Sequence, residues 1–245
     1  MSADQRQTEL AENLAQVRER LAAAEQQRQV GTGPAELIAV TKFFPAADVR
    51  RLAQLGIVQV GENRDQEASA KAAEAPEVTW HFIGQLQSKK TNSVVRYASC
   101  VHSMDRLSLV TGLGKSVRRH RESVLAGEVA RGPNAERDLQ CLIQVSLDGT
   151  AGRGGVAPAE LERLAEAVEA EDGLRLQGVM AVAPLGQDPD PAFQELFELS
   201  QVVRRTAPAA QWISAGMSAD LEAAVRWGST HVRVGSGILG ARPVG

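Results

Sequence analysis

The residues Leu37-Ile38-Ala39-Val40-Thr41-Lys42 run mostly β-forming side chains straight into one lysine, and Pro45 keeps the strand from continuing far past it. In a parallel α/β fold, ligands bind at the C-terminal ends of strands, and a lysine held partly out of water there loses affinity for its proton. An unprotonated amine attacks aldehydes. Taken alone, a strand-end lysine reaching solvent is the commoner outcome, so the combination with other residues has to decide. Polar residues collect at further strand ends: Glu62 and Asn63, His81, Ser103, Ser214 to Ser218, and Gly235 to Gly237.

Two late loops point to phosphate. Ser214-Ala215-Gly216-Met217-Ser218 leaves a strand and opens a helix, with Ser218 placed as its N-cap, and Gly235-Ser236-Gly237 leaves the last strand. Barrels often build a phosphate site from the loops after strands seven and eight. Arg233 stands just before the second loop. A lysine, a phosphate cradle and an arginine suit a cofactor with both an aldehyde and a phosphate, and pyridoxal 5′-phosphate is one. The rival reading of Gly235, Gly237 and Gly240 as a dinucleotide fingerprint fails on context, since only five residues follow Gly240. Gly152-Arg153-Gly154-Gly155 lacks the Gly-Lys-Ser/Thr ending of a nucleotide loop and reads as a plain turn near the mouth.

The elements that must position these residues alternate. Leu10, Leu14, Val17 and Leu21 recur at helical spacing, predicting an N-terminal amphipathic helix over residues 1–30 that covers its own domain. Strands are expected at Leu37–Lys42, Ile57–Gly61, Thr79–Gly84, Ser99–Ser103, Leu139–Leu147, Leu174–Val182, Gln211–Ser214 and His231–Val234. Helical stretches fall between them, including Ser88–Tyr97 and Asp105–His120. About eight βα repeats in 245 residues predict a single (β/α)₈ barrel over 31–245.

Composition bounds the partners. A net charge of -3 gives no support to nucleic-acid binding, and Arg118-Arg119-His120-Arg121 reads as a solvated helix end. Cys100 and Cys141 lie far apart, no histidines cluster in sequence, and neither a disulfide framework nor a zinc site is signalled. With no apolar leader and no membrane-length apolar run, the cytoplasm is the expected location.

Several separate motifs, in order, resemble the pyridoxal phosphate homeostasis proteins, relatives of the N-terminal barrel of alanine racemase. They are Leu37 to Lys42, Gly61-Glu62-Asn63 with Gln66-Glu67, Trp80 to Lys90, Gly178-Val179-Met180, Ser214 to Ala224, and Val232 to Arg242. The resemblance implies that Lys42 forms the cofactor's Schiff base, that Met217, Ser218, Gly235 and Ser236 help bind it around the phosphate, and that Arg233 lies by the pyridine nitrogen. Asn63 and His81 would line the mouth near the ring. Many relatives carry threonine in place of Ser236 and an aromatic residue in place of Arg64.

An amino-acid racemase needs a second base opposite the lysine. In the racemases a second domain supplies a tyrosine; this sequence ends at Gly245, and its single tyrosine, Tyr97, falls in an expected helix. A permanent charge at Arg233 would also oppose protonation of the ring. The expectation is therefore a protein that holds and exchanges the cofactor, with amines or amino acids and dependent apoenzymes as partners, as a monomer or weak dimer. A racemase of weak activity and a phosphate-ester barrel enzyme using Lys42 as a charge are the alternatives.

Overall fold

A computed structural model of the chain describes residues 3–31, 33–149 and 154–241. Strands β1 (Glu36–Val40), β2 (Gln59–Glu62), β3 (Thr79–Phe82), β4 (Ala98–Met104), β5 (Leu139–Gln144), β6 (Leu174–Met180), β7 (Trp212–Ser214) and β8 (His231–Val234) close in sequence order into a parallel barrel. Ala39 pairs with Val60 on one side and Val234 on the other, so β1 closes the ring. This is the (β/α)₈ architecture that alternating strand and helix signals predict. No helix among the described residues is long and apolar enough to cross a membrane.

The outer layer is α1 (Ala3–Gln26), α2 (Ala46–Gln54), α3 (Asp65–Glu74), α4 (Thr91–Val94), α5 (Leu107–Leu125), α6 (Leu161–Glu169), α7 (Pro189–Thr206), α8 (Leu221–Arg226) and α9 (Ser236–Leu239). Apolar side chains on both barrel and helices fill the space between the layers. The interior of the barrel is more polar: a small cluster of Cys100, Leu142 and Met180 coexists there with a hydrogen-bonded line of His81, His102, Ser214 and Arg233.

Helix α1 buries Leu10, Leu14, Val17 and Leu21 against Val49, Leu52, Leu221, Val225, Ile238 and Leu239, so its apolar stripe covers the flank of its own barrel. Its polar residues then hold the late loops. Asn13 donates to the carbonyl of Ile238 at 3.0 Å, Arg6 to that of Leu239 at 3.0 Å, and Arg20 to that of Ser218 at 2.9 Å.

Several local expectations change. The stretch Ser88–Tyr97 is not one helix: a 3₁₀ turn over Ser88–Lys90 leads into the four residues of α4, and turn residues 95–97 connect it to β4 at Ala98. Helix α5 runs on to Leu125, which places Arg118 to Arg121 inside it. There Arg118 and Arg119 are exposed, Arg118 pairs with Glu171 at 2.7 Å and Arg121 with Asp138 at 2.9 Å, while His120 is buried, so the run is not the helix end but its arginines still face solvent. The connector after α5 is pinned by Asn134, which is buried and donates to the carbonyls of Val95 and Ala98. Thr32, the Gly152-Arg153 half of the glycine-rich loop, and Arg242 lie outside the described residues.

Candidate functional site

Strand β1 ends at Val40, two residues before Lys42, and the backbone N–H of Thr41 still donates to Gly61 at 3.1 Å. A tight turn then closes, with the Phe44 N–H donating to the Thr41 carbonyl at 3.0 Å. At its centre Phe43 has φ +72°, the one positive φ outside glycine among the described residues. Such a conformation is costly for a bulky residue and persists where the surroundings hold it. Here they do so through Glu67 Oε1, which accepts from the Phe43 N–H at 2.6 Å, and through the Arg64 guanidinium stacked 5.1 Å from the Phe43 ring centre.

Beneath the turn lies a buried cation. Lys71 Nζ donates to the Thr41 carbonyl at 2.9 Å and to Glu62 Oε1 and Glu67 Oε1 at 2.7 Å each, while the Thr41 hydroxyl also donates to Glu62 at 2.8 Å. Burial raises the Glu62 carboxyl above its ordinary range, offset in part by Lys71 and Thr41. Sequence reasoning missed Lys71. Its spacing from Glu67 is that of an ordinary i,i+4 surface pair, and only the docking of α3 on the barrel turns it inward.

Lys42 is half-buried and lines a cavity of about 310 Å³ together with Val40, Phe43, Phe44, Ile83, Met217, Ser218, Ala219, Arg233, Gly235, Ser236 and Gly240. Six of the residues proposed from sequence therefore converge: Lys42, Met217, Ser218, Arg233, Gly235 and Ser236. Asn63 and His81 are not in this lining. Asn63 faces a second cavity of about 430 Å³ that it shares with Arg64, Glu67, Gln85 and Lys90. His81 is buried inside the barrel and reaches Arg233 only through His102 and Ser214.

The late loops interlock differently from the expected helix cap. Asp220, not Ser218, precedes α8, and its Oδ1 accepts from the Met217 N–H at 2.6 Å. Ser218 Oγ instead accepts from the Gly237 N–H at 3.1 Å and pairs with Ser236 Oγ at 3.3 Å, joining the loop after β7 to the start of α9. Both hydroxyls thus stand at one wall of the cavity.

The opposite charge balance is notable for what pairs with Arg233. The guanidinium is buried, donates from Nη1 to Ser214 Oγ at 2.6 Å and from Nη2 to the Ala181 carbonyl at 2.9 Å, and makes no ion pair at contact distance among the described residues, the Asp220 carboxylate acting on it only from further off. Burial lowers its pKa to about 10, so it stays charged at neutral pH. The two basic side chains of the cavity, Lys42 and Arg233, face a lining that contains no aspartate or glutamate. A half-buried site of that kind attracts an anion.

The fold also brings His81, Cys100 and His102 within 4.8 Å of one another, which no spacing in the sequence signals. The two imidazoles use that proximity for each other, with His81 Nδ1 and His102 Nε2 at 2.9 Å, and burial drives the Cys100 thiol pKa well upward. Tyr97 is packed against Asp65, 3.3 Å from its carboxylate, and does not line the Lys42 cavity.

The family described as the alanine racemase N-terminal domain matches residues 7–243. Pyridoxal phosphate homeostasis proteins of Mycobacterium leprae and Pseudomonas aeruginosa are 44% and 36% identical to the chain; each alignment covers 96% of it, and 93% and 97% of those proteins. The structure of Synechococcus elongatus PipY with pyridoxal phosphate bound superposes with a TM-score of 0.76 at 30% identity, over 94% of this chain and 99% of that one. Alanine racemase from Streptomyces coelicolor shares the fold at 19% identity and a TM-score of 0.72, over 95% of this chain but 58% of its own. With its length, its motifs and its barrel all accounted for in this way, the chain belongs to the pyridoxal phosphate homeostasis protein family.

Proposed function

We propose that this protein binds pyridoxal 5′-phosphate with Lys42 as the Schiff-base residue, and that it takes part in intracellular homeostasis of the cofactor without substantial turnover of amino acids. The observation that carries the reading is the Lys42 cavity, whose described lining has two basic side chains, two hydroxyls and no acidic side chain, at the lower end of the roughly 300–1,000 Å³ range of small-molecule sites. Ser218, Ser236 and the loop backbone around Gly235 would hold the phosphate; Arg233 would face the ring nitrogen; Met217 would pack beside them.

When bound, the cofactor supplies an aldehyde that condenses with amines and a ring that withdraws electrons from what it holds. The protein's own groups favour holding over turnover. Arg233 keeps its proton and so offers only donors to a ring nitrogen, which then remains unprotonated and a poorer electron sink. Among the described lining residues, Lys42 is the one suited to serve as a base at the reacting carbon, and Tyr97 lies elsewhere. Free amines and amino acids that compete with Lys42 for the aldehyde would carry the cofactor away, which suits a buffer or a donor to apoenzymes.

Borohydride reduction of the purified, cofactor-loaded protein, followed by peptide mapping, tests the assignment. The label is expected on Lys42, with visible absorbance absent in Lys42→Ala. Absorbance that survives in that variant would remove Lys42 from the site. Rapid exchange of substrate α-hydrogen for deuterium, abolished in the same variant, would replace the homeostasis reading with a racemase.

A further inference from the structure

Arg233, Ser214, His102 and His81 form one hydrogen-bonded line through the barrel interior, with separations of 2.6, 3.0 and 2.9 Å. All four side chains are buried, on β8, β7, β4 and β3. The direction of the line follows from counting protons. A guanidinium has only donors, so Ser214 Oγ must accept from Arg233 Nη1. The hydroxyl's other partner is His102 Nδ1, and no second acceptor for its proton occurs among the described residues.

Two arrangements then compete. If Ser214 donates to His102 Nδ1, His102 carries its own proton on Nε2 and donates it to His81 Nδ1, leaving His81 with its proton on Nε2. The atom left over is His81 Nε2, and it is a buried atom without a partner. If His102 donated to Ser214 instead, the hydroxyl proton would be stranded as well, giving two buried losses in place of one. A charged imidazole is disfavoured too: burial holds both histidines neutral, with the neighbouring His81, Arg233 and His231 adding to the effect on His102.

We propose that the line is directed from Arg233 to His81, with both histidines in the Nε2–H tautomer, and that His102 is thereby a positioning residue for Arg233. His102 Nδ1 accepts the hydrogen bond of the Ser214 hydroxyl, which leaves the Ser214 Oγ lone pairs for Arg233 and so holds the guanidinium in one orientation at the cavity wall. The consequence for the ring nitrogen rests on the cofactor reading given above; the direction of the line does not.

Two measurements separate these parts. Long-range ¹H–¹⁵N correlation spectra of the cofactor-free protein at neutral pH, assigned with His81→Gln and His102→Gln, are expected to show Nε2–H for both residues. An Nδ1–H pattern or an imidazolium at His102 overturns the direction, whether or not the protein binds a cofactor. The second measurement uses pyridoxal phosphate labelled with ¹⁵N in the ring, bound to the wild type, to His102→Leu and to His102→Asn, whose amide oxygen can still accept from Ser214. The leucine variant is expected to shift the ring nitrogen toward its protonated resonance and weaken binding about tenfold or more, the loss of one charge-assisted hydrogen bond. The asparagine variant is expected to restore both, and Ser214→Ala serves in place of the leucine variant if that one fails to fold. An identical ring resonance in all the folded variants overturns the positioning role. A wild type that binds no pyridoxal phosphate overturns the cofactor reading and, with it, the positioning role toward the ring, while the tautomer spectra still decide the direction.

Discussion

Lys71 Nζ lies 2.9 Å from the carbonyl oxygen of Thr41, the residue immediately before Lys42. A buried ammonium therefore fixes the backbone from which the candidate Schiff-base lysine extends, and the same ammonium holds Glu62 and Glu67.

Replacing Lys71 with methionine would leave Glu62 buried with its ion partner gone, which typically costs about 3–5 kcal/mol. Urea unfolding of Lys71→Met is expected to show a loss of that order together with poorer retention of pyridoxal phosphate. Adding Glu62→Gln should recover part of the stability, because the stranded charge is then gone. Equal stability of wild type and Lys71→Met would contradict the clamp.

Gly237 tests the interlocked loops. A Cβ there would meet Val234 Cγ1 at 3.0 Å and Ser218 Oγ at 3.3 Å, so Gly237→Ala presses on the hydroxyl that joins the two loops. Overpacking of this kind costs about 1–3 kcal/mol. Isothermal titration should show weakened binding of pyridoxal phosphate in a variant that still folds, and unchanged affinity would argue that the cradle lies elsewhere.

Acid should destabilise the fold through its buried histidines. Burial lowers His81 to about 3 and His231 to about 4, and drives His102 well down, so all three are neutral in the fold. The unfolded chain protonates them near 6.5 and thus binds more protons as the pH falls. Their contribution is fully present above about 6.5 and is lost as the pH falls, down to about 4 for His231 and about 3 for His81, at up to about 1.4 kcal/mol per pH unit for each histidine. Urea midpoints measured from pH 8 to pH 5 should fall below 6.5, and His231→Gln should reduce that slope by about one proton. A slope unchanged in the variant would show that His231 does not contribute.

Cys100 and Cys141 are fully buried, and burial raises both thiols far above their ordinary range. Neither should react with a thiol reagent at neutral pH until the barrel opens. Labelling at the rate of a free thiol in native conditions would contradict this packing.

Strand and helix order was legible because most strands are short β-forming runs bounded by turn residues, and the longer helices, such as α1, α5 and α7, repeat their apolar residues at helical spacing. Leu10, Leu14, Val17 and Leu21 announced α1 by spacing alone. Strand ends were less legible: β1 stops at Val40, since the turn at Phe43 depends on Glu67 and Arg64, residues that no local pattern links to it. The start of α8 was misplaced for a related reason. Ser218 and Asp220 both suit a cap, and Ser218 is taken by Gly237 from the neighbouring loop.

By itself the sequence determined the repeating βα order, the lysine at a strand exit, and the serine- and glycine-bearing loops after the last two strands, because these depend on local propensity and on position within a repeat. The tertiary structure alone decided that Lys71 points inward beneath Lys42, that His81 withdraws from the mouth, and that Arg233 rests on Ser214, and through it on His102, and not on a contacting carboxylate among the described residues. Those relationships join residues from β3, β4, β7 and β8, or from β1 and α3, and they exist only once the barrel has closed.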